Sequence, residues 1–180
     1  MRPTDEDPTF YCIEKLEPCL LKHKKYKALF GGRAGTKSIF AMDAMIGDVN
    51  AFGSKCYVLR EHLKQLKDSI YAGMCERIHD NKLGGFTPVP TQWEIRQLDG
   101  GRITFGGMQN IIGMKGSFRY KYFLMEEAAR TKQQTIDVLG PTLRDVEGAE
   151  LWYVWNPESI TDPMSKQFIV PYQADLDRYG

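Results

Sequence analysis

The stretch Tyr26-Lys-Ala-Leu-Phe-Gly-Gly-Arg-Ala-Gly-Thr-Lys-Ser38 carries the strongest local signal in the chain. Its first five residues suit a short strand, and they run directly into a glycine-rich turn. After the turn, the segment from Lys37 to Ile46 has apolar residues at helical spacing. The sequence therefore predicts a strand, a glycine-rich loop and a helix in immediate succession.

The octapeptide that begins at Gly31 resembles the Walker A pattern G-x-x-x-x-G-K-[ST], with Thr36 in place of the last glycine. In such a loop, backbone N–H groups wrap phosphate oxygens and the helix N-terminus adds a favourable dipole. We predict that Lys37 bridges the β- and γ-phosphates and that Ser38 reaches Mg²⁺. A β-branched residue at position 36 is strained if φ there is positive. Turns of this composition also occur for packing reasons alone. The predicted nucleotide-binding residues of the loop are Gly31, Gly32, Arg33, Ala34, Gly35, Thr36, Lys37 and Ser38.

The rest of the chain continues the alternation of strand and helix patterns. This alternation favours a mostly parallel α/β sheet flanked by helices, with one β-hairpin inserted. In chain order, the further predicted elements are a strand over Lys55–Leu59, an amphipathic helix over Glu61–His79, hairpin strands over Trp93–Ile95 and Ile103–Phe105, a glycine-rich surface loop over Gly106–Ser117, and strands over Tyr120–Met125, Glu150–Trp155 and Phe168–Val170.

Two adjacent carboxylates, Glu126 and Glu127, end the predicted strand that begins at Tyr120. An ATPase with a phosphate-binding loop needs a carboxylate at a neighbouring strand end to hold the Mg²⁺ shell. A second carboxylate orients and deprotonates the attacking water. We therefore predict Glu126 as the acid on the metal side and Glu127 as the catalytic base. The alternative is a solvated start of a helix, where acidic residues are also favoured.

Length and composition indicate one globular domain. The chain has 180 residues, 42% of them hydrophobic and 26% charged, with 24 Lys and Arg against 23 Asp and Glu. A net charge of +1 gives no sign of a polyanionic partner, so any nucleic-acid surface must be local. No apolar run approaches the roughly 20 residues that span a bilayer. The four cysteines contain no C-x-x-C pair, and no zinc framework or Ser-His-Asp triad is predicted.

Four segments together resemble the ATPase domain of tailed-phage terminase large subunits. They are the stretch 26–38, Val58-Leu-Arg-Glu61, Phe123-Leu-Met-Glu-Glu-Ala128 and Trp155-Asn-Pro-Glu158, and the resemblance covers roughly residues 24 to 170. It implies a P-loop NTPase fold of the ASCE, RecA-like kind. It also implies ATP and Mg²⁺ at the site and ATP-driven translocation of double-stranded DNA into the procapsid.

The resemblance adds roles for single residues. Arg33 would follow the γ-phosphate, Asn156 would contact the attacking water or the γ-phosphate, and Arg60 would help to close the nucleotide pocket. The alternatives without a catalytic role are a surface salt bridge for Arg33, a turn before proline for Asn156 and a structural role for Arg60. Adenine stacking is implied for Tyr26 or Phe10, and a cation donated to the next subunit is implied for Lys115 or Arg119. Lys115 could instead touch DNA or belong to an exposed loop. The basic run Lys22, Lys24, Lys25 and Lys27 is most simply a solvated face.

The resemblance also sets expectations for the whole assembly. Residues 1–23 would be an N-terminal extension, 24–170 the P-loop core, and 171–180 a truncated connection to a missing C-terminal nuclease domain, so nuclease activity is not expected. The implied partners are double-stranded DNA, the portal protein, the terminase small subunit and further copies in a ring on the procapsid. The expected location is the host cell cytoplasm, without membrane attachment. Two other functions stay open: a non-catalytic nucleotide-binding module that controls assembly, and a small-molecule P-loop kinase.

Overall fold

A computed structural model describes residues 10, 12–33, 36–60, 67–107, 119–142 and 146–179. Its centre is a seven-stranded sheet with the strand order β1-β7-β6-β2-β5-β4-β3. The strands are β1 (Tyr26–Phe30), β2 (Lys55–Arg60), β3 (Phe86–Val89), β4 (Glu94–Gln97), β5 (Arg102–Gly107), β6 (Tyr122–Glu126) and β7 (Glu150–Trp155). The neighbouring strands β1, β7, β6, β2 and β5 are parallel. At one edge of the sheet, β4 pairs antiparallel with β5, and β3 pairs antiparallel with β4.

The helices lie on both faces of the sheet. They are α1 (Glu17–Leu21), α2 (Lys37–Phe52), α3 (Ala72–Asp80), α4 (Gln133–Thr142) and α5 (Val170–Tyr179). Short 3₁₀ turns cover Glu14–Leu16 and Ala128–Arg130, and π-helical turns cover Lys67–Tyr71 and Ser165–Ile169. None of the helices in the described ranges is long and apolar enough to cross a membrane.

Two hydrophobic clusters hold these layers together. One lies between the sheet and helices α2 and α3, and the other lies between the opposite face and α4 with the turn Ser165–Ile169. Strand β7 supplies both, because Trp152 and Val154 face the first cluster while Leu151, Tyr153 and Trp155 face the second. All six residues of β7 are buried. Burial on both faces is the reason why Leu151–Trp155 is a continuous apolar run rather than an alternating one.

The predicted fold class is confirmed: a mostly parallel α/β sheet flanked by helices, with a hairpin formed by β4 and β5. The sequence did not predict β3, which contains Pro88. Proline cannot donate to a strand partner and is tolerated here because β3 is the edge strand.

Two predictions of secondary structure need correction. The strand predicted over Phe168–Val170 is wrong, because these residues are helical and the Phe168 ring packs against Tyr153 and Trp155. Gly106 and Gly107 belong to β5 rather than to a loop, and residues 108–117 of that predicted loop lie outside the described ranges. The helix predicted over Glu61–His79 is confirmed from Lys67 onward, and residues 61–66 lie outside the described ranges.

The sheet brings the polar strand ends to one edge. Because β1, β7, β6 and β2 are parallel neighbours, their carboxyl ends meet there. The glycine-rich loop follows β1, Asn156 follows β7, Glu126 ends β6, and Arg60 ends β2. In open α/β sheets, ligands bind outside the carboxyl ends of the strands. This edge is therefore the place to look for a site.

Candidate active site

Lys37 lies at the start of α2 with its ammonium group inside the glycine-rich loop. Its Nζ atom donates to the carbonyl oxygens of Gly32 at 2.6 Å and Gly31 at 3.4 Å, and to Oδ1 of Asn156 at 3.1 Å. Ala34 and Gly35 lie outside the described residues. The contact with Asn156 joins the loop after β1 to the end of β7, which are far apart in the sequence.

Ser38 and Glu126 form the next pair along this edge. The Ser38 hydroxyl donates to Oε1 of Glu126 at 3.2 Å. The Glu126 side chain is only 14% exposed. Burial raises the pKa of this carboxyl above its usual value, and the nearby Arg60 cation opposes the rise. A hydroxyl and a carboxylate side by side are oxygen ligands of the kind that Mg²⁺ prefers.

Arg60 ties the two glutamates together from the end of β2. Its Nη2 atom lies 3.0 Å from Oε2 of Glu126 and forms a close ion pair with Oε1 of Glu127. Its Nη1 atom donates to the Ser69 hydroxyl at 2.8 Å. The Arg60 side chain is 7% exposed, whereas that of Glu127 is 59% exposed. Arg60 is therefore a buried cation that holds an accessible carboxylate.

Glu127 has an unusual backbone. Its φ angle is 54° and its ψ angle is 44°, in the left-handed region, just before the turn Ala128–Arg130. Such a conformation is disfavoured for a residue with a side chain and is enriched at functional sites. Here it turns the chain abruptly at the end of β6 and leaves the Glu127 carboxylate outside the sheet.

Two clefts open beside these residues. The first, of about 420 Å³, is lined by Lys37, Ser38, both glutamates and Asn156. The second, of about 1210 Å³, is lined by Arg33, Arg60, Ser69, Glu127 and Asn156, among others. Glu127 and Asn156 line both clefts and so lie where the two clefts adjoin.

Thr36 has a positive φ, the backbone conformation in which a β-branched residue is strained. Its φ is 55° and its ψ is −1°, at the position directly before α2. For a β-branched residue this conformation is a genuine outlier with a strain of about 1–3 kcal/mol. The missing glycine of the loop therefore falls at the position where glycine is most useful.

We expect Thr36→Gly to stabilise the protein. Glycine adopts this φ without backbone strain, but it loses more conformational entropy on folding than threonine does. Because the second effect offsets part of the first, the free energy of unfolding should rise by about 1 kcal/mol. Urea denaturation measures it. The matched control is Thr36→Ala, which removes the branched side chain and keeps the unfavourable φ. A gain with alanine equal to that with glycine would contradict the strain argument.

Several predicted residues are not brought to this cluster. Tyr26 is the first residue of β1, four residues and roughly 13 Å from the strand end that carries the loop. Its hydroxyl lies against Gly140 of α4, so its placement does not support adenine stacking. Phe10 packs against Gly47 of α2 and lines a separate cavity at the other edge of the sheet.

The predicted cations lie in different places. Arg33 is exposed and lines the larger cleft. Arg119 is exposed just before β6, at the sheet edge away from this cluster, and Lys115 lies outside the described residues. Of the basic run, Lys27 is buried, with Nζ 2.7 Å from Oε2 of Glu150, while Lys22, Lys24 and Lys25 are exposed.

Sequence reasoning missed Ser69. It lies within the amphipathic helix predicted over Glu61–His79, and nothing in its local pattern separates it from a solvated helical serine. Its contact with Arg60 depends on the packing of the turn Lys67–Tyr71 against the sheet, which no short-range pattern reports.

A sequence model of the phage terminase large subunit family matches residues 23–179. This chain belongs to that family. A comparison with curated protein sequences gave no match.

Solved structures of terminases share the fold. The large terminase ATPase domain of Thermus phage P74-26 has a TM-score of 0.68 at 15% identity, over 94% of this chain and 75% of that one. The N-terminal domain of the DNA packaging ATPase of bacteriophage phi29 has a TM-score of 0.68 at 12% identity, over 86% and 84% of the two chains. The large terminase of thermophilic bacteriophage D6E in complex with ADP has a TM-score of 0.66 at 11% identity, over 86% of this chain and 39% of that one.

These similarities agree with the predicted P-loop fold. The present chain spans well under half of the length of the D6E protein. At identities of 11–15% the solved structures support the fold alone, and the family assignment rests on the sequence model.

Proposed function

We propose that this terminase domain is a motor that hydrolyses ATP to translocate double-stranded viral DNA into the procapsid. One observation carries the proposal: Lys37, Ser38, Glu126, Glu127 and Asn156 converge at the carboxyl edge of a parallel sheet from three separate segments. This grouping supplies a phosphate-binding ammonium, two magnesium-type ligands and a carboxylate base in one cleft. The ADP bound to the D6E terminase is consistent with a nucleotide ligand here.

The donor set fits Mg²⁺. Ser38 and Glu126 would hold the ion, because their oxygen atoms already lie 3.2 Å apart and the Glu126 carboxylate is buried beside a hydroxyl donor. Mg²⁺ is usually bound by one or two protein ligands plus phosphate oxygens and water. When bound, it would neutralise charge that develops on the phosphate oxygens.

The remaining residues have separate tasks. Lys37 binds phosphate oxygens, in exchange for the loop carbonyls that it contacts now. Glu127 accepts the proton of the attacking water, since its carboxylate is accessible. Asn156 orients the Lys37 ammonium through its Oδ1 atom. Arg33 lies on the same side of the loop as the larger cleft and can follow the terminal phosphate with its planar guanidinium.

Lys37→Ala tests nucleotide binding directly. We expect ATP affinity to fall at least about 30-fold, since a charge-assisted contact with phosphate is worth about 2 kcal/mol or more. Isothermal titration with a non-hydrolysable ATP analogue and Mg²⁺ measures the change. Lys166→Ala, an exposed lysine outside the clefts, serves as the control and should bind normally. Unchanged affinity of Lys37→Ala would refute the proposed phosphate role.

The wider assembly follows from the same proposal. The partners would be double-stranded DNA, the portal protein, the terminase small subunit and further copies in a ring on the procapsid, in the host cell cytoplasm. Lys115 or Arg119 would donate a cation to the neighbouring active site. The exposure of Arg119 away from its own cleft supports a role in trans, because such a cation stabilises transition-state charge on another subunit's phosphate.

A further inference from the structure

Arg60 also contacts Ser69, on the side away from the glutamates. Its guanidinium is shared between two kinds of acceptor: Nη2 faces Glu126 and Glu127, while Nη1 donates to the Ser69 hydroxyl at 2.8 Å. Arginine presents its donors in a rigid planar fork, so fixing one nitrogen fixes the direction of the others. The Ser69 contact therefore sets how the guanidinium meets the glutamates.

Ser69 is itself held firmly. It belongs to the π-helical turn Lys67–Tyr71, and its next two neighbours, Ile70 and Tyr71, are buried. The Tyr71 ring packs edge-on against Trp93 and Phe105, with ring centroids 5.6 Å and 5.0 Å away. π-helical turns are often found at functional sites. Ser69 itself is exposed, and its position is fixed by these two buried neighbours.

We propose that Ser69 is a positioning residue for ATP hydrolysis. By accepting a hydrogen bond from Nη1 of Arg60, it prevents both terminal nitrogens of Arg60 from binding the Glu127 carboxylate. With Ser69 present, one nitrogen faces away from the catalytic base. Without it, both nitrogens can turn to the carboxylate in a two-pronged pair, which is the stronger geometry. A base held in that way is less available to water. This inference rests on the proposed ATPase function for its activity readout.

The activity test compares Ser69→Ala with the wild-type chain, assembled under the same conditions. We expect kcat to fall about tenfold, with the KM for ATP changed less than twofold, because the proposed effect is on the catalytic base and not on phosphate binding. Ser69→Thr keeps a hydroxyl and should restore kcat to within twofold. Glu76→Gln, an exposed change on α3, is the matched control. An unchanged or higher kcat in Ser69→Ala would overturn the proposal.

A double-mutant cycle separates positioning from general damage. Because Ser69 acts through Arg60, Ser69→Ala should have no further effect on kcat in an Arg60→Met background. An equal loss of kcat in both backgrounds would mean that Ser69 has only a structural role, and would refute the inference.

The same cycle in thermal unfolding needs no ATPase activity. We expect the melting temperature of the double variant to match that of Arg60→Met, whereas additive losses would refute the contact. If the wild-type chain binds ATP and does not hydrolyse it, the proposed function fails, and the melting cycle still decides the Ser69 contact.

Discussion

Glu127→Gln is expected to lower kcat for ATP hydrolysis by about 10²- to 10⁴-fold, the usual contribution of a positioned general base. Glutamine has nearly the same shape and cannot accept a proton from water at neutral pH. The backbone of residue 127, in the left-handed region, is equally demanding for both side chains. Because neither Lys37 nor Ser38 contacts Glu127 in the cleft, ATP affinity should stay within about threefold. The measurements are steady-state phosphate release and equilibrium binding on the same preparation.

The control for this variant is Glu147→Gln. Glu147 is exposed before β7, at the sheet edge away from the clefts, so the same chemical change there should leave hydrolysis unaltered. Binding with no turnover in the wild-type chain, even with DNA and portal protein present, would instead favour the non-catalytic module. Phosphate transfer that requires a small-molecule acceptor would favour the kinase. Equal rates for Glu127→Gln and the wild type would exclude Glu127 as the base.

The order of elements around the glycine-rich loop was predictable because each signal was local. Tyr26–Phe30 is apolar and short, the glycines break it, and the helical spacing after Lys37 is clear. The strands that end at Glu126 and Trp155 were recognised from apolar runs that stop at polar residues. Parallel pairing then places those ends at one edge. The contacts Ser38–Glu126 and Lys37–Asn156 follow from that topology.

Other features depend on tertiary packing. The three residues Phe168–Val170 are too few to show whether apolar residues recur at strand or at helix spacing. They are helical in the structure, where the Phe168 ring packs against Tyr153 and Trp155. The resemblance implies adenine stacking by Tyr26 or Phe10, which both precede the loop in the sequence. A strand carries its first and last residues to opposite edges of the sheet, so Tyr26 lies far from the loop.

Arg60 and Ser69 show the same limit at the site itself. An arginine at a strand end gives no local sign of its partners. Its position between Glu126, Glu127 and Ser69 arises because β2 lies next to β6 in the sheet. The order of strands in space is a long-range property that the local pattern does not contain.

Arg60→Ala is expected to lower the free energy of unfolding by about 3–5 kcal/mol, as is typical when one partner of a buried ion pair is removed. The loss comes mainly from Glu126, whose side chain is 14% exposed and would stay buried without its cation. The matched control is Arg130→Ala, which breaks an exposed pair with Glu158 at 3.3 Å, where both side chains are more than half exposed. That change should cost less than about 1 kcal/mol. Urea denaturation of both variants gives the comparison.

The pH dependence identifies Glu126 as the source of the loss. Burial already raises the pKa of Glu126, and Arg60 is the group that lowers it, so Arg60→Ala should raise this pKa further. Between the ordinary glutamate value and the raised one, the folded state keeps a proton that the unfolded chain releases. Stability then falls as pH rises through that window. The deficit of Arg60→Ala should therefore be largest at neutral pH and should shrink as pH falls towards about 4.5. Adding Glu126→Gln to Arg60→Ala should recover part of the stability lost at neutral pH, because no charge is then left buried. A stability loss that is the same at all pH values and unaffected by Glu126→Gln would show that Arg60 stabilises the fold by packing alone.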